Sequence, residues 1–517
     1  MRIKIKSILK IVFAIQFIIF LTPVGALASY QEALQEAYGM AQKKNYTAAA
    51  AALFNLVRRP ELKNQRGEIY LNLGKILIEL NLPQVAAWQF VNVITSNDSK
   101  NFQRAVSMLM VVADELGDKT ILNYAFSKIK LNEFPAEHRD MLYYRMGEVK
   151  FDNQDYKGAT QAFDKVSDNH RYYEEALYYQ AMSYAHLNET EIAIDKFQQL
   201  LNLRKKKGPI DDLKLAATLG LARTYYQMQK WDKSISYYLK IPRDHEFWHQ
   251  SLFESTWAFL RSGRIRSSLG NFQSIHSDYY SDIYNPEYLI LRSIVYLFIC
   301  QYDELEKVLK LYEENYGRSE EIIGNFLRNT NEPLAFYGEV EKGLLNLTNL
   351  KNNKKSNEGK IPYNIQRYII GRGNVSNNLN YLRKLFEEKK EIENMSYSFT
   401  SSNLGKYSIR LIENRIKNTK AFIGIKTKAH LVFVRAELKD LNEQVGFLRY
   451  ELINLQKEKL QMQILGQKKE DPKSINEDVD REFYVKNGYE YYPFRGEFWL
   501  DEIGNYFYIG KNSCEKK

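Results

Sequence analysis

The chain has 517 residues and a formal net charge of +10, from 73 basic and 63 acidic residues. That excess is mild for this length and no dense basic stripe accompanies it, which argues against a nucleic-acid-binding protein. The length could hold three ordinary domains, unless stacked repeats fill it.

The first 28 residues have the pattern of a secretory leader. Four basic residues, from Arg2 to Lys10, precede an apolar run over residues 11–21, and Ala26-Leu27-Ala28 offers the small residues of a cleavage site. The apolar run is shorter than the roughly 20 residues of a membrane span. The pattern predicts cleavage after Ala28 and an exported, periplasmic protein of net charge +6, because the leader holds four basic and no acidic residues. An uncleaved anchor is the alternative.

Residues 29–315 contain a recurring pattern of large, small and aromatic residues. In its clearest copies every position recurs 34 residues later. The first copy has Tyr143, Met146, Gly147, Tyr156, Ala159, Phe163 and Val166, and the second has Leu177, Gln180, Ala181, Thr190, Ala193, Phe197 and Leu200. The small residues allow two helices to cross closely, and the phenylalanines fill the gap to the next repeat. Asn153-Gln154-Asp155 and Asn188-Glu189 are the predicted turns between helices.

This spacing resembles the tetratricopeptide repeat family. Further copies extend the resemblance over about half of the chain and predict about eight helical hairpins over residues 29–315. The resemblance implies an all-α fold, an α-solenoid that serves as a protein-binding scaffold and needs no cofactor or metal. With its leader, the chain is similar to bacterial periplasmic scaffolds of this family, which act in outer-membrane assembly, envelope maintenance or motility. We therefore expect partner proteins of the cell envelope and at most peripheral contact with a membrane, including the outer membrane.

In this family the first helix of each hairpin lines the concave surface, and the resemblance implies which side chains point inward. These residues are Tyr144, Phe151, Tyr178, His186, Arg223, Tyr226, Phe253, Trp257 and Arg261. Aromatic residues and arginines are common at binding hot spots, so we expect this set to hold a partner segment. Two alternatives are that the aromatic side chains pack between neighbouring helices, and that the chain's own C-terminal region fills the groove.

Beyond the repeats, residues 316–403 are predicted to hold irregular helices near residues 320–327 and 334–347 and a polar linker over 352–360. From residue 404 to 470 apolar residues recur at heptad spacing, with an unbroken seam from Leu431 to Met462. This seam predicts a long helix in coiled-coil packing, either inside the chain, as a hairpin turning near Gly424 or packed on the repeats, or between chains. Pairing between chains gives a second functional hypothesis, a structural homo-oligomer.

The segment 475–517 is an aromatic tail. Asn487-Gly488 within it is a β-hairpin signal, and the stretch from Tyr491 to Gly504 is similar to the ends of repeat proteins from gliding and predatory bacteria. So many aromatic residues need a surface, which this chain or a partner must provide. In an oxidising compartment Cys300 and Cys514 can pair and staple the tail to the last repeat, and two free thiols are the alternative.

One string could carry chemistry. His245-Glu246-Phe247-Trp248-His249 matches the zinc-binding H-E-x-x-H of metalloproteases. With Asp244 as the expected N-cap, however, the string would straddle a loop and a first helical turn. No nucleophile elbow, phosphate-binding glycine loop or dinucleotide fingerprint occurs. The sequence therefore predicts a scaffold that is not an enzyme, with a zinc protease as a distant alternative.

Overall fold

The computed structural model describes residues 26–96, 100–117, 119–126, 134, 136–203, 211–280, 283–351, 359–465 and 498–508. Most of the predicted leader, most of the predicted polar linker, the predicted β-hairpin at Asn487-Gly488 and Cys514 lie outside these residues. The described chain is almost entirely helical and holds no strand. None of its helices combines the length and the apolar character that a membrane span requires.

Eight helical pairs occupy the described residues between Ala26 and Tyr316. The pairs are α1 (Ala26–Gln42) with α2 (Tyr46–Leu56), α3 (Arg66–Glu79) with α4 (Pro83–Thr95), α5 (Phe102–Leu116) with α6 (Lys119–Phe126), α7 (Arg139–Asp152) with α8 (Tyr156–Phe163), α9 (Tyr173–His186) with α10 (Thr190–Asn202), α11 (Asp212–Gln227) with α12 (Trp231–Tyr238), α13 (Phe247–Arg261) with α14 (Ile265–Ile275), and α15 (Pro286–Phe298) with α16 (Tyr302–Tyr316). The predicted fold class, all-α and built from repeat hairpins, is confirmed.

The chain divides into two compact units. The first comprises residues up to 133 together with 383–416, and the second comprises residues 134–382 together with those from 417 onwards. Inside each unit the second helix of one hairpin packs on the first helix of the next. This holds for α2 on α3 and α4 on α5 in the first unit, and for α8 on α9, α10 on α11, α12 on α13 and α14 on α15 in the second.

Every hairpin turns at one residue with a positive φ. The residues are Lys44, Asn81, Gly117, Gln154, Asn188, Gln229, Gly263 and Cys300. In seven of these turns the next residue donates its N–H to the carbonyl five positions earlier, for example Asp155 to Lys150 and Glu189 to Tyr184, both at 2.9 Å. This bond satisfies a free carbonyl at the end of the first helix. The turns predicted at Gln154 and Asn188 are confirmed.

Small residues set the distance between paired helices. A Cβ atom added to Gly147 of α7 would overlap the ring of Phe163 on α8. Ala181 of α9 and Ala193 of α10 are completely buried at the equivalent crossing. The Phe163 ring also stacks on Tyr179 of the next hairpin, with 5.7 Å between ring centroids. The roles predicted for these residues are confirmed.

Five helices follow the repeats before the long helix, where two were expected. They are α17 (Ser319–Asn329), α18 (Pro333–Lys351), α19 (Tyr363–Ile370), α20 (Gly373–Glu393) and α21 (Tyr397–Thr400). The expected number was too low because α20 is rich in polar residues. Its buried residues Val375, Leu382, Leu385 and Ile392 lie on one helical face, but the many polar residues between them mask that period.

The long helix α22 (Asn403–Ile464) is continuous over 62 residues. A hairpin near Gly424 is wrong, since Gly424 lies inside the helix, against the carbonyl of Pro333 on α18. The seam residues Leu431, Val434 and Leu438 are completely buried within the single chain. Packing inside the chain and pairing between chains were both predicted for this seam. In the structure, helices of the same chain cover it.

Polar contacts fix α22 to the last repeat and to α17 inside the second unit. Tyr284 donates its hydroxyl to Glu437 at 2.9 Å. Tyr312 of α16 does the same to Asn442 at 2.9 Å. The guanidinium Nε of Arg435 lies 2.7 Å from a carboxylate oxygen of Glu320 on α17. These bonds set the register of α22 against its neighbours.

Residues 498–508 of the aromatic tail pack on α14 and on the turn before α13. Arg243 donates to the carbonyl of Leu500 at 3.1 Å and to that of Asp501 at 2.7 Å. The backbone N–H of Gly504 donates to the hydroxyl of Ser274 at 2.8 Å. For this part of the tail, the expected surface is thus provided by the chain itself.

The buried carboxyl group of Glu388 caps the N-terminus of α4 in the first unit. The N–H groups of Gln84 and Val85, in the first turn of α4, donate to the two oxygens of Glu388 at 2.9 and 3.1 Å. Burial raises the pKa of Glu388 to about 8, and the two N–H donors oppose that rise. The folded protein therefore binds a proton here at neutral pH that an unfolded chain, with a glutamate pKa of ~4.3, would release.

We predict that this proton makes folding pH-dependent. Because the folded-state pKa is raised, the stabilisation is complete below the unfolded pKa and is lost as the pH rises through about 8. Thermal unfolding of the protein should show a lower midpoint at pH 9 than at pH 6. Glu388→Gln, which cannot ionise, should reduce that difference even if it lowers both midpoints. Equal pH dependence in the two proteins would contradict the prediction.

A second prediction concerns the helix crossing. Gly147→Ala should lower the free energy of unfolding by about 1–3 kcal/mol, because the packed Phe163 ring cannot move aside freely. Gly338→Ala in α18 is the matched control, since nothing lies within 4 Å of the added carbon. That change should instead raise the free energy of unfolding by about 0.5–1 kcal/mol through helix propensity. Denaturant titration of both variants measures the two effects.

Candidate functional site

Two of the predicted groove aromatics are packing residues. Tyr144 is only 6% exposed and stacks on Tyr172 with 4.7 Å between ring centroids. Phe253 is 9% exposed and stacks on Tyr288 of α15 at 3.7 Å. Neither presents its ring to a partner, so the alternative of packing between neighbouring helices describes them.

Four other predicted residues contact aromatic neighbours at the repeat surfaces. His186 stacks on Tyr156 with 4.4 Å between centroids, and Phe151 meets the same tyrosine edge-on at 5.5 Å. Tyr178 lies edge-on to Phe197 at 6.1 Å. The last of the four, Tyr226 of α11, is half-buried and packs edge-on against Trp231 of its own hairpin at 5.1 Å. These side chains are partly accessible, but each ring already has a packing partner.

The two predicted arginines differ in their surroundings. Arg223 forms two hydrogen bonds to Glu254 of the next hairpin, at 2.8 and 2.7 Å. Burial acts to lower the pKa of Arg223, but the hydrogen bond and the charge of Glu254 raise it overall. The positive charge of Arg223 is therefore already paired with a carboxylate of the same chain. Arg261, at the end of α13, is exposed.

Trp257 is the predicted residue that lies in an open cavity. The cavity is a groove between α13, α15 and α22, inside the second unit. Near Trp257 it measures about 320 Å³ and further along about 630 Å³. The side chains that line it are Trp257, Glu287, Ile290, Leu291, Ile294 and Leu297 from the repeats and Glu437, Asp440, Leu441, Glu443, Gln444, Phe447 and Leu448 from α22. We call this cavity the α15–α22 groove.

The α15–α22 groove follows two helices that run in the same direction. Residues from Glu287 to Ile294 face residues from Glu437 to Gln444, and Leu297 lies beyond them beside Phe447. The lining positions on α15 recur every three or four residues, so they form one face of that helix. Ile294 is 43% exposed and Phe447 is 62% exposed. The groove therefore combines an accessible apolar surface with a fixed shape.

The two histidines of the H-E-x-x-H string have separate polar partners. Helix α13 begins at Phe247 with Glu246 as its N-cap, so the expected cap Asp244 is wrong by two residues. His245 bonds to Asp212 at 3.1 Å, whereas His249 lies 3.3 Å from the side-chain amide of Asn285. Burial lowers the pKa of His249 to about 4. Among the described residues no cluster of three or more His, Cys, Asp or Glu side chains could hold a metal ion.

Cys300 lies in the turn between α15 and α16 and is disulfide-bonded. Its predicted partner Cys514 lies outside the described residues. The pairing of these two cysteines stays a prediction.

Sequence reasoning missed the half of the groove that α22 provides. The heptad period identified Leu441 and Leu448 as seam residues, but a period does not name the surface that the seam covers. Glu437, Asp440 and Glu443 looked like ordinary solvated positions beside that seam. A usable signal was the second apolar stripe on α22, where Phe447 and Tyr450 interrupt a charged face.

The comparisons with known proteins concern the repeats. Residues 175–204, which include α10 and most of α9, match the sequence model described as tetratricopeptide repeat. No curated protein matches the chain.

Solved structures resemble the chain at low identity. A tetratricopeptide repeat protein from Parabacteroides merdae is 15% identical, covers 56% of this chain and 93% of its own, and has a TM-score of 0.25. The apo form of RapI is 13% identical, covers 70% and 98%, and has a TM-score of 0.35. The TPR domain of P58(IPK) is 13% identical, covers 75% and 99%, and has a TM-score of 0.19. All three TM-scores lie below 0.5, so the likeness to a repeat protein rests on the match over residues 175–204 and on the helical hairpins.

The matched repeat, its 34-residue spacing and the hairpins built on it agree. Within this chain, residues 175–204 match a tetratricopeptide repeat, and the described residues up to Tyr316 form helical hairpins of that kind.

Proposed function

We propose that the protein is an exported scaffold of the cell envelope that binds a segment of a partner protein in the α15–α22 groove. The observation that carries this proposal is the groove itself. It is open, about 630 Å³ in its larger part, and bordered by the exposed apolar side chains Ile294 and Phe447. Exposed apolar surface in a concave, preformed site is typical of a place where another chain docks.

A binding function suits the family better than catalysis. Repeat hairpins offer extended surfaces, and proteins of this family generally act as scaffolds rather than enzymes. The H-E-x-x-H string is the strongest sign of chemistry in the sequence, but its two histidines contact different residues. His245 contacts Asp212, and His249 contacts Asn285. Neither is free to share a metal ion with the other.

The structural-oligomer hypothesis has less support than the scaffold. It depended on a heptad seam that pairs with a second chain, but Leu431, Leu438 and Leu448 are buried in the single chain. Separating α22 from its neighbours would expose these residues, and burying each such leucine is worth about 1.5–3 kcal/mol.

The proposed location follows from the leader. Basic residues, a short apolar run and Ala26-Leu27-Ala28 form the order of parts that export requires. We predict that the mature protein begins at Ser29 and fractionates with the periplasm. N-terminal sequencing of protein extracted from the cell envelope checks this, and an intact Met1 there would contradict it.

The groove prediction is tested by site-specific photo-crosslinking in intact cells. A photoreactive amino acid at position 447 should yield one discrete protein adduct, because Phe447 borders the groove. Position 239 is the control, since Leu239, which directly follows α12, is 65% exposed, similar to the 62% of Phe447, but lies outside the groove. Trp257→Ala, tested in the position-447 protein, should weaken binding of the captured partner by about 2 kcal/mol, as at other hot spots. Equal labelling at both positions would argue against the groove.

A further inference from the structure

We propose that the α15–α22 groove selects a helical segment whose apolar face is flanked by lysine or arginine residues. This inference rests on the proposed function, since it takes the groove as the binding site and names the chemistry of its ligand. Four features of the groove favour this ligand: the sign of its charge, the absence of ion pairs for three of its four carboxylates, the length of its lining and the indole of Trp257.

The groove is acidic although the chain is basic. Four carboxylates line it, those of Glu287, Glu437, Asp440 and Glu443, and no Lys, Arg or His side chain is among the lining residues. The whole chain has a net charge of +10. The negative lining is thus a local feature. It attracts cationic groups and repels phosphate-bearing or acidic ligands.

Most of these carboxylates have no cation of their own. In the part of the chain that the structure describes, Glu287, Asp440 and Glu443 form no ion pair. Other acidic residues nearby, on the same helices or on adjacent ones, do form ion pairs. Glu254 binds Arg223, Glu313 binds Arg449 and Glu320 binds Arg435. These three carboxylates of the groove can therefore pair with the cations of a ligand.

The fourth carboxylate, that of Glu437, has a hydroxyl partner, and burial raises its pKa while the positive charge of Arg372 acts to lower that pKa. Glu437 accepts the hydroxyl of Tyr284 at 2.9 Å. Partial burial raises the pKa of Glu287, and the charge of Glu437 raises it further. Two carboxylates thus oppose each other at one end of the groove. A bound cation there would relieve this repulsion.

The lining has the length of a short helix. From Glu287 to Leu297 on α15 it extends for about 15 Å, and from Glu437 to Leu448 on α22 for about 16 Å, at ~1.5 Å per residue. Three turns of an amphipathic helix have this length. Such a helix would place its apolar side chains on Ile290, Leu291 and Ile294 and its flanking cations on the carboxylates.

Trp257 adds a reason for a cation at the acidic end. Its side chain lines the groove together with Glu287 and Glu437. A lysine or arginine that pairs with these acids would lie beside the indole, and the faces of indole rings attract cations. Apolar contact, ion pairing and ring contact then favour the same class of ligand.

The test uses three synthetic amphipathic peptides of 14 residues labelled with fluorescein. They share the same leucine positions and carry lysine, glutamine or glutamate at the flanking positions. Fluorescence anisotropy with the purified full-length chain should show at least tenfold tighter binding of the lysine peptide than of the glutamine peptide, and none of the glutamate peptide. The preference should shrink as salt is added.

Charge variants identify the site. Asp440→Asn with Glu443→Gln removes two exposed carboxylates from the lining and should weaken the lysine peptide about tenfold, without affecting the glutamine peptide. Glu306→Gln with Glu321→Gln is the matched control, because both residues are exposed and lie outside the groove. This control should bind the lysine peptide as the unaltered protein does.

The outcomes separate this inference from the proposed function. If the three peptides bind equally and Ile294→Asp abolishes their binding, the groove binds segments but the preference for cations is refuted. If the lysine peptide binds and neither the Asp440/Glu443 variant nor Ile294→Asp changes its affinity, it binds elsewhere and the inference is overturned. If no peptide binds, both the inference and the groove as a docking site fail.

Discussion

The burial of the α22 seam inside the chain is the contact on which the second unit depends. An extended row of apolar side chains, with Leu431, Val434 and Leu438 fully buried, gives this helix a fixed place along α15–α18. The polar bonds of Glu437 and Asn442 then settle its register. Because the helix is held in this way, the residues beside the seam form one wall of a groove whose other wall is a repeat.

This arrangement changes what the repeats offer to a partner. In a solenoid the first helix of each hairpin is the expected binding surface, and here that surface is partly replaced by contacts within the chain. Tyr144 and Phe253 pack against neighbouring rings, and Arg223 is bound to Glu254. An accessible apolar surface lies instead where α15 meets α22, in a groove that four carboxylates also line.

The hairpins were predictable from the sequence because their determinants are local. Gly147 must be small where two helices cross, and Asn188 tolerates the turn that follows α9, so spacing alone reveals both. The groove was less predictable because its residues depend on contacts far apart in the chain. The heptad pattern of α22 predicted burial of Leu438 without naming the covering helices. Only that packing shows that Glu437 and Asp440 line the groove.

The docking of the tail has a consequence for the order in which the second unit is completed. The N–H of Gly504 reaches Ser274 across 230 positions of the chain, and Arg243 is satisfied by carbonyls that lie still further along it. Contacts between residues so far apart in the chain slow folding, because the long segment between them must close into a loop before they can form. The part of α14 around Ser274 therefore stays uncovered until residues 498–508 have been synthesised and have docked. A variant without residues 498–508 would leave the hydroxyl of Ser274 and the guanidinium of Arg243 without these backbone partners.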